Sequence, residues 1–309
     1  MKNIVVIGGG HGLSLILKSI KDLKDINISA IVTVADDGGS TGRLRKRYTI
    51  PAMGDIRNVM VALSNANPLI SDLMNYRFEG EDDMDISGHS LGNLILTAFF
   101  NMTGSFNEAI KMTSSLLNVK GAIIPSTLEY VSLFARMDDD QIVRGEAFIP
   151  NDTHKIEKVF YDHEVEANDE AIKAILDADL IIYGIGSLYT SILPNLVING
   201  IKDAISNTKA KKVYFANAMT QANETYNYDL KAHIDALEKH EVPVDIVVKH
   251  KETIPDNIKE LYKKQNSIEV INNNDIKQKV IETELLDFEN NLVRHNVNKI
   301  RKVIEGLIK

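Results

Sequence analysis

A run of glycines near the start of the chain has the composition of a phosphate-binding turn. It follows the apolar residues 3–7, NIVVI, which are typical of a short buried strand, and it precedes a helical stripe of apolar residues. At such a junction the glycines let the backbone approach an anion, and the helix N-terminus supplies free N–H groups. A tight turn without any ligand is the alternative. The candidate binding residues are Gly9, Gly10, His11 and Gly12.

The spacing of this turn departs from two familiar nucleotide motifs. A nicotinamide-binding fingerprint requires a glycine where Leu13 stands, and a Walker loop requires a Gly-Lys-Ser/Thr run that does not follow. An HExxH zinc motif occurs nowhere in the chain. The turn therefore predicts anion binding without naming a cofactor.

A second glycine turn occurs later in the chain and would supply another set of helix N-terminal amides. Strand-like residues 179–184 lead into glycines and then into residues whose hydroxyls can donate to phosphate oxygens. The next strand ends in a polar run at the same rim. Two glycine-rich strand ends in one sheet fit an elongated nucleotide better than either turn alone. The candidates from these segments are Gly184, Gly186, Ser187, Tyr189, Thr190, Asn217, Thr220 and Gln221.

Carboxylates stand beside cations after the second predicted strand. We interpret residues 36–45 as a glycine-rich loop that forms one wall of the ligand crevice. Carboxylates next to cations indicate a site for a polyphosphate, a metal ion or both. Asp36, Asp37 and Asp55 are candidate catalytic residues, and Asp37 and Asp55 are candidate Mg²⁺ ligands. Solvated-loop and helix-capping roles are the alternatives here. The remaining candidates are Ser40, Arg43, Arg57, Asn58, His89 and Asn93.

These candidates require an α/β frame to position them. The strand–turn–helix–strand opening is a βαβ unit with strands at 3–7 and 28–35, and it implies a parallel sheet. From about residue 55 to 118 the pattern is helical, which we interpret as an insertion into the frame, with helices at 57–65, 68–77, 91–102 and 106–117. A small antiparallel excursion follows, with strands at 120–124, 129–135, 141–148 and 155–160.

Helix and strand alternate again in the C-terminal half. Helices are predicted at 168–177, 188–205, 229–240 and 297–307, and strands at 179–184, 212–217, 244–248, 267–271 and 278–282. The prediction is therefore a single α/β domain over residues 1–309. Its architecture is a Rossmann-like three-layer parallel sheet with a helical insertion and a small antiparallel excursion.

The overall composition excludes several classes of function. The chain has 309 residues, with 35 basic and 43 acidic side chains and a net charge of −8, which disfavours nucleic-acid binding. The absence of cysteine removes disulfides, thiolate metal sites and a cysteine nucleophile. No apolar run approaches the roughly 20 residues of a membrane-spanning helix. We expect a cytoplasmic protein with no membrane span and no nucleic-acid partner.

Several segments together resemble one family closely. In chain order they are GGGHGLS, VTVADDGGSTGRLR, GDIRN, GHSLGNL, PST, GIGSLYTSILPNL, KVYFANAMTQ and VRHN. They are similar to the bacterial gluconeogenesis factors (YvcK/GlmR-like proteins) of the CofD-like superfamily, over nearly the whole chain. Three positions depart from the usual family pattern, because this chain has His11, Ile185 and the pair Ala222-Asn223 where the family has Thr, Pro and Pro-Gly.

The resemblance implies a regulator that binds a UDP-sugar, notably UDP-N-acetylglucosamine. Such proteins act in amino-sugar and cell-wall precursor metabolism and in cell shape during gluconeogenic growth. The resemblance also implies ligand-binding roles for Tyr262 and Arg294, the first by stacking on uracil and the second by pairing with the diphosphate. The implied protein partner is a regulated enzyme of amino-sugar synthesis, and we expect a homo-oligomer.

Two other activities remain open at the level of the residues. A Mg²⁺-dependent transferase acting on a nucleotide-diphosphate-linked donor would resemble the superfamily's 2-phospho-L-lactate transferase or a uridylyltransferase. Such chemistry requires positioning and charge stabilisation but no nucleophile. A nicotinamide dehydrogenase fits less well, because the first turn lacks the last glycine of its fingerprint and the second turn would have no role.

Overall fold

The centre of the molecule is a seven-stranded sheet in which all neighbouring strands are parallel. The computed structural model describes residues 1–80, 86–151 and 154–309. The strands of this sheet are β1 (Lys2–Gly8), β2 (Ile26–Val32), β3 (Ala122–Pro125), β7 (Leu180–Tyr183), β8 (Lys211–Phe215), β9 (Ile246–His250) and β10 (Lys279–Thr283). Their order across the sheet is β10-β9-β8-β7-β1-β2-β3, which confirms the predicted α/β class.

The chain reverses its direction of progress across the sheet between β1 and β7. From β1 it moves outward through β2 to β3, and it then returns to add β7, β8, β9 and β10 on the other side. In an open parallel sheet the crevice at the carboxyl ends of two such strands is the usual ligand position. The two glycine turns predicted from the sequence follow these two strands.

Helices cover both faces of the sheet, and the strands are accordingly apolar on both sides. In β1, for example, Val5, Val6 and Ile7 are at most 1% exposed. The helices are α1 (Gly10–Ile20), α2 (Gly39–Tyr48), α3 (Gly54–Leu63), α4 (Pro68–Asn75), α5 (Leu91–Thr103), α6 (Phe106–Leu116), α7 (Asp169–Leu176), α8 (Leu193–Leu196), α9 (Asn199–Asn207), α10 (Leu230–Lys239), α11 (Asp256–Lys263) and α12 (Val297–Leu307).

Right-handed crossovers place these helices in two layers. The crossovers from β1 to β2 and from β7 to β8 run in opposite directions across the sheet, so α1 and α9 lie on opposite faces. Helices α3 and α12 pack against α1, whereas α7 packs against α9. Among the described residues, no helix is both long enough and apolar enough to span a bilayer.

The predicted insertion and excursion correspond to two groups of elements. Helices α3 to α6 occupy the insertion, of which residues 81–85 lie outside the described part of the chain. The excursion forms a three-stranded antiparallel sheet of β4 (Phe134–Met137), β5 (Ile142–Arg144) and β6 (Ile156–Phe160), in the order β5-β4-β6. The strand predicted at 120–124 corresponds to β3, which pairs in parallel with β2 in the central sheet and does not belong to the excursion. The strand predicted at 129–135 begins and ends earlier than β4, and the strand predicted at 141–148 extends beyond β5. The chain before Phe134 is a loop whose Val131 carbonyl accepts a hydrogen bond from Arg45.

The segment that we interpreted as a loop at residues 36–45 is mostly helical. Helix α2 begins at Gly39, directly after the extended N-cap residue Gly38. The sequence obscured this helix because its first turn is rich in glycine and its last turn is basic. The helix is stabilised by the burial of Leu44 and Arg45.

Two expectations for later parts of the chain were also wrong, and one hairpin was not predicted. The helix predicted at 188–205 is broken into a π-helical turn at Leu188–Ile192, α8 and α9, since Pro194 has no N–H to donate. Residues 267–271 make only one isolated bridge, between Met219 and Glu269. A hairpin of β11 (Leu286–Glu289) and β12 (Leu292–His295) was not predicted, although Asn290 and Asn291 both adopt the positive φ typical of a tight hairpin turn.

Arg45 joins α2 to the end of β2 and to the loop before β4. It is 1% exposed, and its guanidinium donates to the carbonyls of Ala35 (3.2 Å), Asp36 (2.8 Å) and Val131. It also lies over the ring of Tyr130, 4.5 Å from the centroid. The Arg45 side chain is therefore a shared hydrogen-bond donor for two backbone carbonyls after β2 and one in the loop before β4.

We expect Arg45→Ala to lower the free energy of unfolding by about 3 kcal/mol, because three acceptors lose their donor and a cavity forms. Urea unfolding followed by circular dichroism measures this change. Lys46→Ala, at the exposed neighbouring position of the same helix, is the matched control and should unfold at nearly the parent midpoint. Equal midpoints for the two variants would contradict the role given to Arg45.

Candidate functional site

The two glycine turns contact each other at the carboxyl ends of β1 and β7. A Cβ atom on Gly12 would lie only 1.8 Å from the carbonyl oxygen of Ile185, so a side chain at Gly12 would force the turns apart. Gly186 has a φ of +151°, a conformation that side-chain-bearing residues rarely adopt. The first turn of α1 therefore begins directly beside the second glycine turn.

Two asparagines hold the turns in place. Asn217, just after β8, accepts a hydrogen bond from the Gly186 N–H (3.2 Å) and donates to the Gly186 carbonyl (2.7 Å). Asn195 in α8 donates to the Gly8 carbonyl at the end of β1 (3.1 Å). Asn217, a candidate ligand-binding residue from the sequence, therefore positions the second turn through both its amide oxygen and its amide nitrogen.

Glu224 organises the other side of the second turn and was not a candidate from the sequence. Its carboxylate accepts hydrogen bonds from the hydroxyls of Ser187 and Thr190, the latter at 3.2 Å, and the two hydroxyls are 2.6 Å apart. The residue before it, Asn223, adopts a φ of +63°. Asparagine tolerates this conformation better than most residues, so the Ala222-Asn223 departure preserves the turn that presents Glu224.

A group of carboxyls lies at the β1–β2 end of the crevice. Asp55, in the first turn of α3, accepts the N–H of Gly10, and one of its oxygens lies 2.4 Å from where a Gly9 Cβ would stand. Asp36 accepts the N–H of Gly38 (2.9 Å) and lies 3.2 Å from the corresponding point on Gly54. The fold therefore places Asp55 against the first glycine turn and brings Asp36 close enough to Asp55 for their charges to interact.

The antiparallel excursion places a further carboxyl, that of Glu146, near Asp36 and Asp55. Asp37 accepts the N–H of Ala147 (3.0 Å), which ties the residues after β5 to the end of β2. Gly145 packs so closely on Asp37 that its Cβ would lie 2.7 Å from the carboxylate. Glu146, between these two contacts, was missed from the sequence because only the tertiary fold brings it to the crevice.

Burial, and for some of them repulsion between neighbouring carboxylates, raises the pKa values of these carboxyls. Burial, followed by repulsion from Asp36, raises the pKa of Asp55 to about 7. Burial, followed by the charges of Asp36 and Asp55, raises the pKa of Glu146 to about 8. Burial also raises the pKa values of Asp36 and Glu224. Near neutral pH this end of the crevice therefore retains protons that ordinary carboxyls would have lost.

The donor set suits a hard cation only if a ligand shares it. Among the described residues, no group of three or more His, Asp or Glu side chains is arranged to hold a metal ion by itself. Mg²⁺ is usually bound by one or two carboxylates together with substrate phosphates and water. Asp55 fits that pattern, because its carboxyl adjoins the turn where a phosphate would lie. Asp36 lies near it, beside Gly54. Each of Asp36, Asp37 and Asp55 already accepts one backbone N–H, so a cation would share these carboxyls with the backbone.

Basic and polar candidates from α2 contact His89 and its neighbours in the helical insertion, and together they form a second wall of the site. The Ser40 hydroxyl lies 2.7 Å from His89 Nδ1, and Arg43 donates to the Ser87 carbonyl (2.5 Å). Burial and the nearby Arg43 and Arg77 lower the pKa of His89, which keeps the ring neutral. Ser90, not His89, caps α5 by accepting the N–H of Asn93.

Two candidates of the insertion retain unused polar atoms in buried positions. Arg57 is 6% exposed and donates to Asn58 (2.6 Å), but its Nε has no hydrogen-bond partner among the described residues. The Oδ1 atom of Asn93 likewise has no partner among them. Both atoms are buried inside the insertion.

The remaining candidates near the second turn have structural contacts. Tyr189 is 2% exposed and its hydroxyl bonds that of Tyr228 (3.0 Å), so it packs in the core. Thr220 joins the segment that follows α11, because its hydroxyl accepts the N–H of Ile268 (2.9 Å). Gln221 receives its fixed position from Thr225, whose hydroxyl accepts the Gln221 N–H (2.9 Å), and its Oε1 is buried without a partner.

The two C-terminal candidates lie on the hairpin side of the sheet. Tyr262 of α11 is half-buried, and its hydroxyl accepts the N–H of Val293 in β12 (3.1 Å). Arg294 is exposed and forms no ion pair with the described residues. His295 beside it bonds the Ala216 backbone after β8, which anchors the hairpin to the carboxyl edge of the sheet. Because side chains alternate along a strand, Arg294 points to the opposite face from His295.

Comparisons with known proteins agree on one group of relatives. The family described as 2-phospho-L-lactate transferase CofD matches residues 4–288. The gluconeogenesis factor of Bacillus subtilis (strain 168) is 43% identical over 99% of this chain and 98% of its own length. The gluconeogenesis factor of Halalkalibacterium halodurans is 42% identical over 99% of this chain and 96% of its own length. The crystal structure of protein BH3568 from Bacillus halodurans superposes with a TM-score of 0.94 at 42% identity, covering 98% of this chain and 99% of that one.

The raised pKa of Glu146 makes stability depend on pH in a defined direction. This carboxyl ionises near 4.5 in an unfolded chain and near 8 in the fold, so between these values the folded state holds the extra proton and stability falls as the pH rises. We expect Glu146→Gln to gain stability relative to the parent between pH 5 and pH 8, on the order of 2 kcal/mol.

Unfolding free energies at the two pH values measure this gain. Glu289→Gln, at an exposed position of β11, is the control and should follow the parent at both. A Glu146→Gln variant that loses stability at pH 8 relative to pH 5 as steeply as the parent would contradict the crowding of the carboxyls.

Proposed function

Because the chain belongs to the gluconeogenesis factors of the CofD family, we propose that it binds a UDP-sugar in the crevice between β1 and β7. UDP-N-acetylglucosamine is the ligand that we expect. Binding would report the supply of amino sugar, so that the protein regulates amino-sugar and cell-wall precursor metabolism, and with it cell shape, during gluconeogenic growth. An enzyme of amino-sugar synthesis is the expected target of that regulation.

The contact between the two glycine turns is the observation that carries the proposal. A diphosphate has two negative groups a few ångströms apart, and the crevice offers one glycine turn for each. The N-terminus of α1 adds the N–H groups of its first turn and the positive end of its dipole.

A divalent cation would resolve the repulsion between a diphosphate and the carboxyls. Asp55 adjoins the first glycine turn and Asp36 lies near Asp55, so Mg²⁺ held by these carboxylates together with phosphate oxygens would neutralise both sets of charge. When bound, Mg²⁺ would supply electrostatic stabilisation of the diphosphate. Its binding would also release the protons that burial keeps on these carboxyls.

The hairpin side of the rim is the expected position of the uridine. The ring of Tyr262 offers a flat surface for uracil, and Arg294 offers an unpaired guanidinium for a phosphate or a ribose oxygen. The Tyr262 hydroxyl accepts the backbone N–H of Val293, the residue before Arg294 in β12. A shift of Tyr262 on ligand binding would therefore also move Arg294.

A Mg²⁺-dependent transferase is the second candidate, and the protonation of the crevice favours it. Two carboxyls with pKa values of about 7 and about 8 can give and take protons near neutral pH. Incubation of the protein with UDP-N-acetylglucosamine and Mg²⁺, followed by analysis of the nucleotide products, separates this activity from binding alone. Recovery of intact nucleotide-sugar after many hours supports the regulator.

We expect Gly186→Val to weaken the binding of UDP-N-acetylglucosamine by about tenfold or more, roughly 1.4 kcal/mol. A branched side chain disfavours the φ of +151° and covers the backbone that would approach the diphosphate. Isothermal titration in the presence of Mg²⁺ measures the loss. Gly306→Ala is the control, because a Cβ there has no neighbour within 4 Å. Parent affinity in a folded Gly186→Val variant would leave the second turn with a structural role only.

We expect Tyr262→Ala and Arg294→Ala each to weaken the binding of UDP-N-acetylglucosamine about tenfold in the same titration. The first variant loses the stacking surface and the second loses the fixed cation. Tyr262→Phe separates the two roles of the tyrosine, because it retains the ring and loses the hydroxyl that accepts the Val293 N–H. It should bind nearly as tightly as the parent. If both alanine variants bind at parent affinity, the uridine lies elsewhere on the rim.

A further inference from the structure

A basic groove lies on the α1 face of the sheet, apart from the crevice at the carboxyl edge. It has a volume of about 520 Å³ and runs between α12 and the outer strands β9 and β10. Its apolar lining consists of Ile246, Ile281, Val303 and Leu307. Helix α12 packs against α1 and covers this face only in part. The apolar surface of β10 therefore remains open on the side where a further layer would ordinarily lie.

Lysines surround this groove in a protein whose net charge is −8. Lys211, Lys279 and Lys302 line it, are exposed, and form no ion pair with the described residues. Two more lining lysines are paired, Lys251 with Glu284 at 3.7 Å and Lys299 with neighbouring carboxylates. Glu284 is the one acidic residue of the described lining. The groove therefore presents a positive surface that an acidic partner would neutralise.

Strand β10 is the outer strand of the sheet and has a free backbone edge. The Lys279 N–H donates to the Asp245 carbonyl (3.2 Å), and the Thr283 carbonyl accepts the Lys251 N–H (2.9 Å), both on the β9 side. Because successive peptide groups of a strand alternate in direction, Val280 and Glu282 direct their N–H and carbonyl groups outward. An exposed edge of this kind can accept another extended strand.

We propose that an acidic, extended segment of a partner protein adds to β10 and fills this groove. Lys279, Ile281 and Thr283 share the face of β10 that borders the groove. Lys251, whose N–H donates to the Thr283 carbonyl, also lines the groove at that end of the strand. The complementary segment would therefore carry an acidic residue facing Lys279, an apolar residue facing Ile281 and a second acidic residue near Lys251. A second copy of β10 is disfavoured as the occupant, because two such copies would bring their lysine rims together. This surface is separate from the proposed nucleotide crevice and does not depend on it.

The test uses a fluorescein-labelled peptide, Ser-Glu-Thr-Ile-Thr-Glu-Ser, titrated with the full chain and followed by fluorescence anisotropy. We expect binding that weakens as salt rises and that drops about tenfold or more when lysine replaces both glutamates of the peptide. Lys279→Glu combined with Lys302→Glu should reverse this preference. Lys46→Glu, an exposed lysine on α2, is the control and should bind the acidic peptide as the parent does.

A backbone variant distinguishes strand addition from simple charge attraction. Val280→Pro removes an outward N–H while retaining an apolar residue, and thermal melting checks that the fold is intact. We expect it to weaken the acidic peptide about tenfold. Parent affinity in this variant, equal binding of the acidic and basic peptides, or indifference to the double charge reversal would each overturn the proposal. Displacement of the peptide by inorganic phosphate alone, at equal ionic strength, would overturn it in favour of a small-anion site.

Discussion

The close contact of Gly12 with the Ile185 carbonyl is the constraint on which the rest of the site depends. It leaves no room for a Cβ and places the start of α1 against the turn after β7. Because these turns follow the two strands at which the chain changes sides, the contact determines the shape of the crevice. The side-chain amides of Asn217 and Asn195 hold the two turns in place through hydrogen bonds to the backbone of Gly186 and Gly8. A departure such as Ile185 is compatible with it, because the contact uses only the carbonyl of that residue.

The carboxyls around the first turn give the crevice its chemistry. Asp36, Asp55 and Glu146 are drawn from three separate parts of the chain, and burial raises the pKa of each. A site that retains protons near neutral pH is unfavourable to fold around unless something compensates for it. A cation shared with a diphosphate would do so, which connects the electrostatics of the fold with the function that we propose. Such a site would also couple nucleotide binding to proton release.

Much of the fold could be predicted from the sequence because most strands of its central sheet are short apolar runs. Two of them, β1 and β7, lead into glycines, which identified the two turns. Asp36 was found because it follows the apolar run of β2, and Asp55 because it stands at the start of a helix. Helix α2 was missed because glycines and cations hide its pattern, and its stability comes from the tertiary contacts of Arg45. Glu146 and Glu224 could not be found, since each reaches the site from a loop whose position is determined by distant partners. Local pattern identifies strand ends, but it does not identify which loops fold back over them.

The most direct test of this account is a crystal structure of the protein grown with UDP-N-acetylglucosamine and Mn²⁺, in which anomalous scattering locates the cation. The account predicts the diphosphate against the turns of Gly10 and Gly186, with Mn²⁺ between a phosphate oxygen and the carboxylates of Asp36 and Asp55. A nucleotide bound away from both turns would contradict it. So would a diphosphate bound in the crevice at full occupancy with no anomalous signal near these carboxylates.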